Sequence, residues 1–371
     1  FSMSKAADLA NLIGNINAGG GGVNRNLIIN GAMNVAQRGT SATGLGGSDG
    51  YFTCDRWKMD FSVTDGRLTM SQDSSAPSGF ANSLKLDCTT ADTSIASGEI
   101  LNIQHRIEGQ NLQQFAKGTS DAKPFAVSFY VKGNASATYV CELFDADNGR
   151  QISKTFNVTT DWTRVELSFP ADTTGAFDDD NASSLYLLIW LHAGSTYSSG
   201  TLNSSAWAST TNANRAAGIS SFFDSTDRTF FLTGVQLEVG QNASPSFEHE
   251  NFSQTLEKCY RYYYQRDYTD TYHSIKHPCW CDTTSSLIGE FKMPVTMRSA
   301  PTVTNNGVGN FRINNNEGND QQVTGISIQR TEKEEVVIKF SGANTTFTVG
   351  HTGYINSQFT SDASLFFDSE L

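Results

Sequence analysis

A series of segments in this chain alternates apolar and polar residues with a period of two, and that period decides its class. The last reads FFLTGVQLEVG at positions 230 to 240. In an extended strand Phe231, Thr233, Val235 and Leu237 share one face, and Phe230, Leu232, Gln236 and Glu238 share the other. SLKLDC, FAVSFYVKG, ATYVCELFD, KTFNV, TRVELSFP and LYLLIWLHA follow the same pattern earlier in the chain. Each such strand has one face to bury, so two facing sheets satisfy them together. The expected fold is all-β, a jelly-roll β-sandwich. Composition agrees: only 17% of residues are charged, against roughly 25% in a typical soluble protein. Ser, Thr, Asn and Gly fill the difference, as strands and polar turns require.

A length of 371 residues exceeds one ordinary core and predicts further domains. Residues 3 to 16 form an amphipathic helix with Leu9, Leu12, Ile13 and Ile16 on one face. So short a helix is marginal alone in water, and it is expected to pack against copies of itself or a larger assembly. Four consecutive glycines in NAGGGGV then make a flexible tether. The expected division is an anchor helix and linker over 1–22, the sandwich over 23–250, and a smaller β-rich domain over 251–371. Within the sandwich, Asn148-Gly149 marks a hairpin turn, EGQNLQQFAKG a short helix, and positions 195–218 a long polar insertion containing Trp207. In the last domain SQTLEKCYRYY predicts a short helix capped by Ser253, GISIQRTEKEEVVIKFSG a hairpin, and ASLFFDSEL a closing strand.

The net charge of −12 and the lack of a Lys/Arg cluster argue against nucleic-acid binding. No run approaches transmembrane length, so membrane insertion is not expected. Met3 followed by SKAADLA reads as a native start, with Phe1 and Ser2 left by expression, and no secretory signal is visible. The expectation is a soluble protein made in a cytoplasm. Cys54, Cys88, Cys141, Cys259, Cys279 and Cys281 show no disulfide-framework spacing.

Catalytic patterns are thin. Gly46-Gly47-Ser48-Asp49-Gly50 matches G-x-S-x-G, but its flanks are a glycine-rich loop rather than the strand and helix a nucleophile elbow needs. Asp145-Ala146-Asp147-Asn148-Gly149 lacks the spacing of a calcium loop, and Asp178, Asp179 and Asp180 read more plainly as a solvated acidic loop. His273, His277, Cys279 and Cys281 offer soft ligands, yet the Cys-Trp-Cys spacing is not that of structural zinc sites. No cofactor, metal or catalytic set is expected.

Aromatic residues at outward positions suit sugar binding better, since a sugar's apolar C–H face stacks on a flat ring. In LYLLIWLHA, alternation puts Leu187, Ile189 and Leu191 in the core and Tyr186, Leu188, Trp190 and His192 on the other face. In FAVSFYVKG it likewise separates Tyr130 and Lys132 from Phe125, Val127, Phe129 and Val131. If these polar-aromatic faces line one concave sheet, Tyr130, Lys132, Tyr186, Trp190 and His192 make a glycan groove. The blander alternative is that the rings cover the outer sheet or meet a neighbouring subunit. Trp57 and Trp162 are expected to be core anchors.

MSKAADLANLIG, the glycine break, NLIINGAMNVAQRG, DRWK, QHRIEGQNL, VSFYVKG, TGVQLEVG, CYRYYYQR, MPVTMRSAPTVT and ASLFFDSEL together resemble bacteriophage tail-fibre or receptor-binding proteins of the marine-phage type, over nearly the whole chain. The central part also resembles jelly-roll carbohydrate-binding modules. The resemblance implies a homotrimeric fibre or spike in the virion, attached to other virion proteins through the N-terminal helix and touching a host cell-surface glycan, without catalysis. It places Gln236 and Glu238 in a framework motif. Two other functions compete: a structural virion appendage or adaptor, and a polysaccharide depolymerase, which usually carries a repetitive β-helix not visible here.

Overall fold

The computed structural model describes residues 25–268, 276–315, 320–357 and 362–371. The expected anchor helix with Leu9, Leu12, Ile13 and Ile16 lies outside them, as does His273. The chain divides into two units after Thr255, with Leu371 clustering with the first.

The first unit contains β1 (Ser41–Leu45), β2 (Gly50–Tyr51), β3 (Lys58–Ser62), β4 (Arg67–Asp73), β5 (Ser83–Thr90), β6 (Ile100–Glu108), β7 (Phe125–Gly133), β8 (Ala137–Asp145), β9 (Arg150–Val158), β10 (Thr163–Phe169), β11 (Ser183–Ala193), β12 (Ala208–Ser209) and β13 (Thr229–Val239). They form a six-stranded sheet, β1-β4-β5-β13-β7-β10, and a seven-stranded sheet, β12-β9-β8-β11-β6-β3-β2. Their inner faces share one core that includes Leu86, Phe129, Val131, Leu232 and Val235 from the first sheet and Met59, Ile103, Leu143, Leu187 and Ile189 from the second. This is the expected jelly-roll sandwich. Asn148-Gly149 makes the β8–β9 turn as its sequence predicts, with Asp145 opposite Arg150 and Gly149 at φ +58°. EGQNLQQFAKG forms two short 3-10 turns, Gly109–Asn111 and Gln113–Phe115, instead of one helix. Trp57 is a core anchor, whereas Trp162 is only half-buried, against Phe231.

Simple alternation fails once in β13, for a local reason. Thr233 lies opposite Tyr130 but Gln236 opposite Ser128, so one extra residue bulges out between them. Gly234 takes that position at φ +61°, where glycine is favoured. The bulge shifts the phase by one: Phe230 and Leu232 face the core before it, Val235 and Leu237 after it. Gln236 and Glu238 are therefore aligned with Phe231 and Thr233, not with Phe230 and Leu232.

Residues 25–37 join the two sheets. Leu27 N donates to Leu237 O, and Gly31 O accepts from Val235 N, in the six-stranded sheet. Toward the other sheet, Asn30 O accepts from Trp57 Nε1 (3.1 Å), and His105 Nε2 lies 3.2 Å from both Ile29 N and Ile29 O. Asn30 itself donates to Val35 O and Asp55 O and accepts from Val35 N. Gln236 and Glu238 complete the seal: Gln236 Nε2 donates to Glu238, whose carboxylate receives Ser244 N and Oγ, while Gln236 Oε1 accepts from Glu248 N. Arg25 pairs with Glu238 at 3.3 Å. These two polar residues tie the chain entering the sandwich to the chain leaving it.

The second unit carries β14 (Tyr263–Tyr268), β15 (His277–Thr283), β16 (Ser286–Lys292), β17 (Thr302–Asn305), β18 (Phe311–Asn315), β19 (Asp320–Thr331), β20 (Glu335–Gly342), β21 (Thr352–Ser357) and β22 (Ala363–Asp368). Six of them close a barrel, β15-β16-β20-β19-β18-β21, and β14-β22-β17 make a small sheet. Leu287, Phe291, Ile313, Ile338, Phe340 and Ile355 belong to its core. The unit division falls inside a helix, Phe252–Tyr260. That helix is capped by Asn251 rather than Ser253: Asn251 Oδ1 accepts from Gln254 N, and Gln254 Oε1 from Asn251 N, a reciprocal capping box.

Two predictions follow from this framework. A Cβ on Gly234 would lie 2.7 Å from Phe80 and 2.9 Å from Tyr130 at an unfavourable φ, so Gly234→Ala should cost about 2–4 kcal/mol in chemical denaturation; an unchanged midpoint would mean the bulge relaxes freely. His105 is buried, and burial together with the Arg56 charge holds its imidazole well below the usual histidine value. Between the folded and unfolded pKa only the unfolded chain takes up the proton, so stability falls as pH drops below about 6.5, by up to ~1.4 kcal/mol per unit. The melting temperature should therefore fall on acidification, and His105→Gln should flatten that fall. A slope identical in the variant would assign it to other groups.

Candidate functional site

The outer face of the seven-stranded sheet gathers polar and aromatic residues from four strands. With Leu185, Leu187 and Ile189 in the core, Tyr186, Leu188 and Trp190 of β11 point outward. Register places Arg106 and Phe144 on either side of Tyr186, Gln104 and Glu142 beside Leu188, and Asn102 and Val140 beside Trp190. Asp60 of β3 lies opposite Asn102.

One half of this face is covered. The insertion, which includes the short helix α1 (Ser195–Ser198), packs Tyr197 on Trp190 with ring centroids 5.6 Å apart. Leu188, Trp190, Val140 and Ala216 form a small second core there. Trp190 is 1% exposed and donates from Nε1 to Glu142 Oε2 (2.7 Å). Arg215 of the insertion meets the same carboxylate through Nε (3.0 Å) and Nη2 (3.1 Å), and its guanidinium lies over the Phe144 and Trp190 rings. Burial pushes the Glu142 carboxyl up, against the opposing pull of Arg215 and the Trp190 hydrogen bond.

The other half is a strip of planar groups held in fixed orientation. Gln104 Oε1 accepts from Arg106 Nε (3.0 Å) and Nη2 (2.9 Å). Gln104 Nε2 donates to Asp60 Oδ2 and Asn102 Oδ1, both at 2.9 Å, and Asn102 Nδ2 reaches the same Asp60 oxygen at 3.0 Å. Burial, and then the neighbouring Asp49 charge, raises the Asp60 carboxyl. At the end of the strip the Arg106 guanidinium lies 4.5 Å over the Tyr186 ring, which meets Phe144 at 5.6 Å, both rings half-buried. Arg106 Nη1 also donates to the Leu371 carbonyl (3.0 Å). Gln104 and Asn102 are themselves buried, so this half presents the half-buried Arg106 and Asp60 beside two partly open rings.

The five expected groove residues do not come together. Tyr130 and Lys132 belong to the six-stranded sheet, and Tyr186, Trp190 and His192 to the seven-stranded one, so the core separates the two sets. Tyr130 packs on Phe80, itself against Phe247 and His249, and the Lys132 ammonium sits 5.8 Å over Phe231. His192 leaves its expected face because the β11–β6 register shifts between Trp190 and His192. Its ring is buried, with Nδ1 2.8 Å from Ser221 Oγ and Nε2 2.7 Å from Glu99 Oε2. Tyr186 alone of the five lies on the strip. Arg106 and Gln104 lie within QHRIEGQNL, which the sequence marks only as part of the resemblance, and Phe144 and Asp60 carry no signal beyond alternation.

Gly46–Asp49 is the loop between β1 and β2, which begins at Gly50, and Asp49 accepts from Phe61 N. The six cysteines are buried and none is in a disulfide; burial pushes the Cys54 thiol up to about 12. Among the described residues no group of three or more His, Cys, Asp or Glu is placed to hold a metal ion. Asp145, at the start of the hairpin turn, faces Lys117, whose ammonium is surrounded by Asp145 Oδ2 (2.5 Å), Gly175 O (2.7 Å), Thr174 O (2.9 Å) and Asp172 Oδ2 (3.2 Å). Arg150 also binds Asp172 through Nε (2.7 Å) and Nη2 (3.0 Å). Lys117→Met leaves Asp145 buried without its partner and should cost about 3–5 kcal/mol in urea denaturation. A loss below 1 kcal/mol, roughly that of an exposed pair, would show that the site rehydrates.

No family model matches the sequence, and no curated protein matches it. Solved structures similar to the chain include a family 11 carbohydrate-binding module from Clostridium thermocellum in complex with a β-1,3-1,4-mixed-linked tetrasaccharide (11% identity, 55% of this chain and 98% of that one, TM-score 0.28). A family 30 carbohydrate-binding module is another (14% identity, 58% and 89%, TM-score 0.28). The enzymatically active domain of tailspike protein 4 from bacteriophage CBA120 is a third (12% identity, 58% and 21%, TM-score 0.31).

Proposed function

We propose that this chain is a non-catalytic glycan-recognition protein of a bacteriophage virion, a tail-fibre or spike component that binds a host-surface polysaccharide. The observation that carries the glycan reading is the strip on the seven-stranded sheet. Tyr186 and Phe144 offer ring surface for the C–H face of a sugar, while half-buried Arg106 and Asp60 hold hydrogen-bonding groups beside it, fixed from beneath by the buried Gln104 and Asn102. Groups already ordered in the free protein lose little freedom on binding, which favours a polar ligand. The virion part of the reading, with a homotrimer anchored through Leu9, Leu12, Ile13 and Ile16, is supported by the sequence resemblance. Three copies would add avidity to a weak single site.

The test is direct binding of the labelled protein to a panel of marine bacteria, with competition by their isolated surface polysaccharides. Tyr186→Ala and Arg106→Ala should each weaken binding about tenfold or more, ~1.4 kcal/mol; Tyr186→Ala should leave the melting temperature little changed, whereas Arg106→Ala should lower it by stranding the buried Gln104 acceptor. Trp190→Ala, by contrast, should lose stability, because the ring is buried and bonded to Glu142. Binding to no bacterium, or binding indifferent to Tyr186 and Arg106, would overturn the assignment.

A further inference from the structure

In the second unit, β15 alternates through the barrel wall. Cys279 and Cys281 are buried inward, which turns Pro278, Trp280 and Asp282 outward. Trp280 is 44% exposed, whereas Trp57, Trp190 and Trp207 are buried and Trp162 half-buried. Strand register, not a loose loop, puts the ring in solvent, and the barrel core is complete without it.

The surroundings of the ring identify what it can take. Thr352 lies directly opposite on β21 and Ile288 on β16. Lys339, across from Ile288, pairs with Asp282 at 2.6 Å. Tyr354, opposite Pro278, has the Lys276 ammonium 4.1 Å from its ring centroid. A tryptophan of about 250 Å² at that exposure shows roughly 110 Å², with half-buried Ile288 and Tyr354 beside it and charged and hydroxyl groups around them. A pyranose matches it: an apolar C–H face for the indole, and hydroxyls for the threonine, carboxylate and ammonium around it.

We propose that Trp280 is the platform of a second carbohydrate site, separate from the strip of the sandwich. It rests on the reading of the chain as a glycan-binding protein, and makes each chain bivalent for a repeating polysaccharide.

The experiment is oxidation of the full-length protein by N-bromosuccinimide, followed residue by residue by peptide mass mapping. Protection is sought with β-1,3-1,4-glucan, β-1,4-galactan, alginate, dextran and the bacterial polysaccharides of the binding panel. With a bound polysaccharide at about ten times its Kd, Trp280 oxidation should slow about tenfold, while half-buried Trp162 keeps its own rate. The protection should persist in Tyr186→Ala. Trp280→Ser should lose multivalent retention on immobilised polysaccharide yet melt like the wild type. If a polysaccharide binds the chain but leaves Trp280 oxidation unchanged, the second site falls and the strip stands. If protection disappears in Tyr186→Ala, Trp280 is not an independent site. If none of the polysaccharides binds at all, both readings fall together.

Discussion

A half-buried asparagine, a buried one and a buried tryptophan hold the sandwich shut. Asn26 accepts from Ile28 N and Leu237 N and donates to Val235 O. Asn30 links Val35 and Asp55, and its carbonyl receives Trp57. A β-sandwich buries side chains well but leaves its ends with unpaired backbone groups, each costing about 1–3 kcal/mol if dried without a partner. Residues 25–37 solve that problem at one end by lending both sheets the donors and acceptors they lack. NLIINGAMNVAQRG, DRWK, QHRIEGQNL and TGVQLEVG, distant in the chain, all meet at this seal. The polar groups of these motifs that reach the seal, among them Asn26, Asn30, Asp55, Gln236 and Glu238, act as framework because a dry joint favours hydrogen-bonded polar groups.

The same constraint shapes the outer face. An insertion over a sheet can bury aromatic residues only if their polar atoms are met. Glu142 meets Trp190, and Arg215 then meets Glu142, so one carboxylate fixes both the sheet and the insertion. Beyond the insertion a second set of hydrogen bonds joins the buried Gln104 and Asn102 to half-buried Asp60 and Arg106. The groups that reach the open half are thus held by buried ones, which gives that half its rigidity.

Alternation made much of this legible. It separated Leu187 and Ile189 from Tyr186 and Trp190, and Val127 and Phe129 from Tyr130. Three things escaped it. Bulges at Gly234 and before His192 shift the phase by one residue, and period-two reading has no way to see an extra residue. Sheet membership was also hidden: β11 sits between β8 and β6, so Tyr186 meets Phe144 and Arg106 across long stretches of sequence, while β7, of similar pattern, joins the opposite sheet. Finally, exposure on an outer face depends on what lies over it. Nothing in STYSSGTLNSSAWASTTNANRAAG announces that Tyr197 and Arg215 cover Trp190.

The oxygen cage around Lys117 has a consequence for where such a protein can work. Two carboxylates and two carbonyls converging on one point ordinarily call for a dissolved cation, whose occupancy follows its concentration. Here the positive charge is part of the chain and cannot be diluted, chelated or exchanged. Holding that corner together therefore asks for no calcium from the surroundings.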